Sequence, residues 1–153
     1  MTRTVRWALV TAHALSVVAA AGCGSSSTDQ ANKYVDALNN AQTQFANAMS
    51  KVQSTSGGVS GAAETFKNMK VAFAKVVSDM KAVKPPDKVK DLHNRLIAEM
   101  SQLSDTVSKM SDVTASGDAK KVLAAEPKFI SDVSGLATKV GHTIDAINAK
   151  LHS

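Results

Sequence analysis

Three glutamates and three histidines follow residue 23, and they are the side chains with which a helical protein would bind a metal. They are Glu64, Glu99, Glu126, His93, His142 and His152. A di-iron bundle needs carboxylates from several helices together with Glu-x-x-His pairs on facing helices. The sequence contains no Glu-x-x-His. We therefore exclude a di-iron site.

Haem and copper are two further groups that side chains of a helical protein could bind. Haem needs His or Met ligands on facing helices, and the chain has no C-x-x-C-H for covalent attachment. Thioether sulfurs select Cu(I), and five methionines follow the N-terminal segment, namely Met49, Met69, Met80, Met100 and Met110. Most of them fall on predicted core stripes, where Met is an adaptable gap-filler. We predict no metal and no cofactor.

The serines and the glycine-rich stretches are the residues in which a catalytic motif would lie. The chain has no G-x-S-x-G and no Ser/His/Asp setting that would activate a nucleophile. The stretch "SGGVSG", Ser56 to Gly61, lacks the lysine and the preceding strand of a phosphate-binding loop. We therefore predict that the protein is not an enzyme.

The stretch "VKPPDKVKDLHNRLI", Val83 to Ile97, is the most individual part of the chain after residue 23. Its two prolines indicate a boundary between helices, so the first interpretation is a corner after which Leu92 and its apolar neighbours return to the core. The second is a partner surface at that corner. That surface would consist of exposed Asp91, His93 and Arg95.

The N-terminus has the three parts of a secretory signal peptide. Arg3 and Arg6 are followed by an apolar run from Trp7 to Ala21, which ends in small residues. A transmembrane helix needs about 20 predominantly apolar residues, and this run is shorter and contains polar residues. We predict that residues 1–22 are a cleaved signal peptide.

The four residues "AAGC", Ala20 to Cys23, resemble the lipobox of bacterial lipoproteins. The resemblance implies cleavage between Gly22 and Cys23, with a diacylglycerol on the Cys23 sulfur. It also accounts for the only cysteine in the chain, which would otherwise be an anomaly in a secreted protein. Two acyl chains suffice for stable membrane anchoring. With the polar residues that follow, residues 23–29 are predicted to be a lipidated, flexible tether.

Between residues 30 and 153, apolar residues recur alternately four and three positions apart in four segments. Turn signals separate them: Ser54 to Gly61, the proline corner, and Thr114 to Asp118, where Gly117 suits a helix C-terminus and Asp118 the next N-cap. The pattern predicts one all-α domain, an up-down antiparallel four-helix bundle.

The fourth predicted helix contains residues that disfavour helix. Pro127 predicts that this helix is kinked or broken, since an internal proline costs roughly 3 kcal/mol. Gly135 and Gly141 each cost about 1 kcal/mol relative to Ala. We expect each glycine to let a neighbouring helix come close.

The net charge limits the classes of partner. The chain has 18 Lys and Arg against 13 Asp and Glu, and removal of Arg3 and Arg6 with the signal leaves an excess of three positive charges. Such a mild excess suits a protein near anionic lipid. It is too weak to indicate nucleic-acid binding.

Taken together, the lipobox, the Ser/Gly tether and a helical domain with a "PP" corner followed by "LH" resemble small actinobacterial lipoproteins of uncharacterised function. The resemblance implies a cell-envelope location and supplies no catalytic residues. We expect a non-catalytic scaffold or interaction module, anchored by Cys23 to the outer face of the cytoplasmic membrane, with an envelope protein or wall component as partner. The alternative is a ligand-binding bundle that carries lipid, haem or copper.

Overall fold

The computed structural model describes residues 25–53 and 58–153, and this part of the chain is all-α, as predicted. Its helices are α1 (Ser25–Gln53), α2 (Gly58–Ala82), α3 (Lys90–Ala115) and α4 (Ala119–His152), with a 3₁₀ turn over Asp87–Val89 before α3. Each helix packs mainly against the next one along the chain.

The core is built from one apolar stripe on each helix, because residues alternately three and four apart lie on the same helix face. Tyr34, Val89, Val107 and Ile147 are almost completely buried. Met80, Met100 and Met110 are buried as well, and Met69 packs against the core from its edge. These four methionines therefore fill space, as the spacing predicts. Met49 lies among residues whose side chains are outside the description.

The N-terminal predictions concern residues that are mostly outside the described part. Residues 1–22 and Cys23 lie there. Helix α1 begins at Ser25, so residues 25–29, predicted as flexible tether, are part of the helix. Ser, Thr and Asp are favoured near helix N-termini because their side chains can accept from free backbone N–H groups. Along the described helices, none combines the length and the apolar character needed to cross a membrane.

Two predicted turns have the expected geometry. Helix α2 ends at Ala82, and Val89 N–H donates to the Pro86 carbonyl at 3.0 Å in the turn that leads into α3. Between α3 and α4, Gly117 has a φ of 69°, a left-handed conformation that glycine adopts at little cost. The Asp118 carboxylate then accepts from the backbone N–H groups of Lys120 and Lys121 and caps α4.

Helix α4 is continuous through Pro127, so the prediction that the helix is broken there is wrong. Proline removes the N–H that would have bonded the carbonyl of Leu123. Both residues are exposed, Leu123 to 67%, so water can replace that donor. Beyond the proline, Phe129 packs edge-to-face on Phe66 of α2, with ring centroids 5.2 Å apart. This contact holds the helix to the core immediately after Pro127.

The expectation for the two glycines of α4 is wrong. Gly135 and Gly141 are exposed, and a Cβ atom at either position would meet no atom of the described residues within 4 Å. Neither glycine lies where a neighbouring helix comes close. Their small size instead leaves open surface on α4.

Candidate functional site

The predicted partner surface is only partly exposed. Asp91 and Arg95 are exposed, but His93 is 2% exposed and belongs to the core. The reason is the helical repeat: His93 lies four residues after Val89 and three before Leu96, which are both buried. The same spacing, applied to His as well as to apolar residues, would have identified its position from the sequence.

The His93 ring connects three helices near the proline corner. Its Nδ1 lies 3.2 Å from the Tyr34 hydroxyl of α1, and the two rings meet edge-to-face with centroids 5.5 Å apart. The ring also hydrogen-bonds the backbone of Met80, in the last turn of α2. The C-terminal carbonyls of a helix lack intrahelical donors. His93 therefore supplies a donor to one end of α2 while it accepts from α1.

Burial shifts the pKa of both partners toward their neutral forms. Desolvation lowers the pKa of His93 below its usual 6.5, and the hydrogen bond to Met80 opposes this only in part. Desolvation likewise raises the pKa of the Tyr34 phenol to about 12. At neutral pH the pair is an uncharged phenol and a neutral imidazole, with Tyr34 donating to Nδ1. This geometry and burial suit a structural junction.

A second polar feature lies in the seam between α3 and α4, and we call it the Glu99 recess. It has a volume of about 400 Å³. From α3 it is lined by Arg95, Ala98, Glu99 and Gln102, and from α4 by Lys139, His142, Thr143 and Ala146. Of the predicted partner-surface residues, only Arg95 contributes to it.

Glu99 is the unusual residue of this recess, because it carries a carboxylate and yet is only 8% exposed. Its Oε2 atom is buried and has no hydrogen-bond partner within the described part of the protein. Its Oε1 atom lies 3.6 Å from Nε of Arg95, whose side chain is 68% exposed. A buried carboxylate is costly unless it is paired and hydrogen-bonded. Here the pairing is long and leaves one oxygen unsatisfied.

The sequence contained a signal for Glu99 that was missed. Glu99 lies three residues after Leu96 and four before Leu103, and both leucines are buried. A glutamate at the spacing of a core stripe is rare unless it is paired. A single carboxylate on a core stripe forms no Glu-x-x-His pair, the pattern by which glutamates of a di-iron bundle are recognised.

A shallower recess of about 440 Å³ adjoins the first one and shares Gln102 and Lys139 with it. It is lined largely by exposed polar residues, and Asp132 on its wall is already paired with Lys128 at 2.7 Å. Its other charged residues, Asp105, Lys109 and Lys139, are exposed to solvent. The seam thus holds two adjacent recesses, and of these only the Glu99 recess contains a buried, unsatisfied group.

The Glu99 recess has the features of a binding site for a small polar molecule. It combines a buried carboxylate, the buried Thr143 and the exposed cations of Arg95 and Lys139. Across residues 25–53 and 58–153, no three His, Cys, Asp or Glu side chains are grouped as a metal ion would require.

Comparison of the chain with protein-family models, with curated proteins and with solved structures found no match.

Proposed function

We propose that this protein is a non-catalytic, lipid-anchored helical module on the outer face of the cytoplasmic membrane, where it presents a surface to another envelope protein or a wall component. The observation that carries this proposal is Cys23 at the end of "AAGC", directly after an arginine-flanked apolar run. Helix α1 begins two residues later, at Ser25. A domain that begins so close to the lipidated sulfur would be held against the headgroups.

As part of this proposal, the four helices form an up-down antiparallel bundle. Two contacts support that arrangement. His93, near the start of α3, hydrogen-bonds the backbone of Met80 near the end of α2. Lys88, just before α3, donates to the carbonyl of Leu151 at the end of α4 at 3.1 Å. Each contact joins the positions that antiparallel neighbours would bring together.

The anchored end of the module would include the proline corner, because Tyr34 near the start of α1 contacts His93 near the start of α3. Exposed lysines surround this corner, namely Lys81, Lys84, Lys88 and Lys90. Each basic residue near an anionic membrane surface contributes about 1 kcal/mol to binding. The lysines would therefore orient the corner toward lipid, with Asp91 and Arg95 beside it as the revised partner surface.

Substitution of the lipidated residue tests the proposal. In the full-length chain expressed in bacteria, we expect Cys23→Ala to abolish both lipidation and cleavage before residue 23, measured by intact mass of the purified protein. Ser27→Ala is the matched control, since it leaves "AAGC" intact, and it should carry the diacylglycerol like the unmodified chain. A Cys23→Ala protein that still gains a lipid mass and loses residues 1–22 would overturn the proposal.

A further inference from the structure

The unsatisfied carboxylate in the Glu99 recess points to a cationic group as its missing partner. Among the described residues, Oε2 of Glu99 is buried without a hydrogen bond, and Arg95 approaches the other oxygen at only 3.6 Å. Gln or Leu would fill the same space at a lower desolvation cost. A space-filling role therefore does not account for a glutamate at this position. A primary ammonium offers three N–H donors and is small enough to enter beside Arg95.

The shape of the recess leaves room for such a group. Two alanines, Ala98 on α3 and Ala146 on α4, line it where larger side chains would fill the seam. Thr143, which is 4% exposed, also lines it and is a polar residue. Ligand sites typically have volumes of about 300–1,000 Å³, and this recess, at about 400 Å³, lies at the small end. The ligand should therefore be a small molecule or a headgroup.

Positive charges on the same recess favour an anion next to the ammonium. Arg95 and Lys139 are both exposed and line the recess. The ion pairs of the described helices do not include Lys139, so its ammonium can bind a ligand. A carboxylate or phosphate is the group that such cations bind.

We propose that the Glu99 recess binds a small zwitterion, in which a primary ammonium is separated by a few bonds from a phosphate or carboxylate. The ammonium donates to the Glu99 carboxylate, and the anion contacts Lys139 and Arg95. This inference is independent of lipidation at Cys23. The same chemistry occurs in a free aminoalkyl phosphate and in a phosphoethanolamine lipid headgroup, and the experiment separates the two.

The test is calorimetric titration of the full-length protein, purified in detergent, with O-phosphoethanolamine. We expect it to bind at least about tenfold more tightly than ethanolamine or inorganic phosphate alone, a difference of about 1.4 kcal/mol. Phosphocholine should bind more weakly, because its quaternary nitrogen has no N–H donor. Binding of phosphatidylethanolamine vesicles, compared with phosphatidylcholine vesicles, identifies a lipid headgroup as the ligand if the free zwitterion does not bind.

Three variants test whether Glu99 and Lys139 make the two proposed contacts with the ligand. Glu99→Gln, of nearly identical shape, should lose at least about tenfold in affinity, whereas the control Glu126→Gln, an exposed glutamate on α4, should bind like the unmodified protein. Lys139→Gln should weaken phosphoethanolamine binding and leave ethanolamine binding unchanged. Lys139 is exposed, so this variant keeps the test valid even if Glu99→Gln folds poorly.

Two results would overturn the proposal. The first is the absence of binding to both the free zwitterion, up to about 10 mM, and the phosphatidylethanolamine vesicles. The second is equal affinity of the Glu99→Gln and Glu126→Gln proteins for phosphoethanolamine.

Discussion

The hydroxyl of Tyr34 in α1 lies 3.2 Å from Nδ1 of His93 in α3, across 59 residues of sequence. Through the same imidazole, the contact extends to the backbone of Met80 at the end of α2. A polar pair thus occupies the core at the point where three helices meet. Because both groups are neutral at pH 7, the pair avoids the cost of a buried charge.

Loss of the Tyr34 hydroxyl should destabilise the fold. In Tyr34→Phe, the ring remains packed but Nδ1 of His93 is left buried without a donor. The expected loss is about 1–3 kcal/mol in the free energy of unfolding, measured by urea denaturation. The control is a conservative change at an exposed site, Thr138→Ser, which should change stability little. A Tyr34→Phe protein as stable as the unmodified chain would contradict the role of the hydrogen bond.

The phenol of Tyr34 should lose its proton at a higher pH than an exposed tyrosine. It is the only tyrosine in the chain, so the ultraviolet absorbance of phenolate reports on it alone. We expect a midpoint at about 12 in the folded protein and about 10 in urea. Since the unfolded chain loses this proton first, the free energy of unfolding should fall as the pH rises from about 10 to 12. A folded-state midpoint near 10 would show that the hydroxyl is not buried.

The lowered pKa of His93 predicts that the fold loses stability as the pH falls. Below the usual pKa of 6.5, the unfolded chain binds a proton that the folded chain resists, so the free energy of unfolding should fall as the pH drops below about 6.5. Urea titrations at a series of pH values measure this slope. His93→Gln should reduce it, whereas His142→Gln, at an exposed site, should retain it. Equal slopes in the two variants would contradict the assignment to His93.

Gly135, within α4, and Gly117, between α3 and α4, should respond to substitution by alanine in opposite directions. Gly135→Ala is expected to raise the free energy of unfolding by up to about 1 kcal/mol, because alanine is the better helix former and its Cβ would meet no atom of residues 25–53 and 58–153 within 4 Å. Gly117→Ala should lower it by roughly 1 kcal/mol, because its φ of 69° is strained for L-residues. Thermal and urea unfolding of the two variants checks both signs. A destabilised Gly135→Ala would mean that α4 is packed on that side.

Local signals in the sequence predict much of this fold. The left-handed Gly117 and the cap at Asp118 need only the preferences of two adjacent residues, and both are confirmed. Pro127 shows the limit of such signals. Its effect on α4 depends on contacts made further along, such as Phe129 against Phe66, and a local preference does not include them.

The site was harder to predict for a different reason. The partner-surface interpretation of the corner requires an exposed His93, whereas a buried polar side chain requires a hydrogen-bond partner. That partner, Tyr34, lies on another helix, and the sequence does not show which residues meet across helices. Glu99 poses the same problem more strongly, since its distinguishing property is the absence of a partner for Oε2 in the described part of the protein.

The packing of each helix mainly on its neighbour in sequence has a kinetic consequence. Chains dominated by such local contacts have a low contact order and fold in microseconds to milliseconds. The link from Tyr34 to His93 is an exception, because a long loop must close before it forms. We expect α2, α3 and α4 to associate first and α1 to dock last. Pulse-labelled hydrogen exchange that found α1 amides protected before those of α3 would contradict this order.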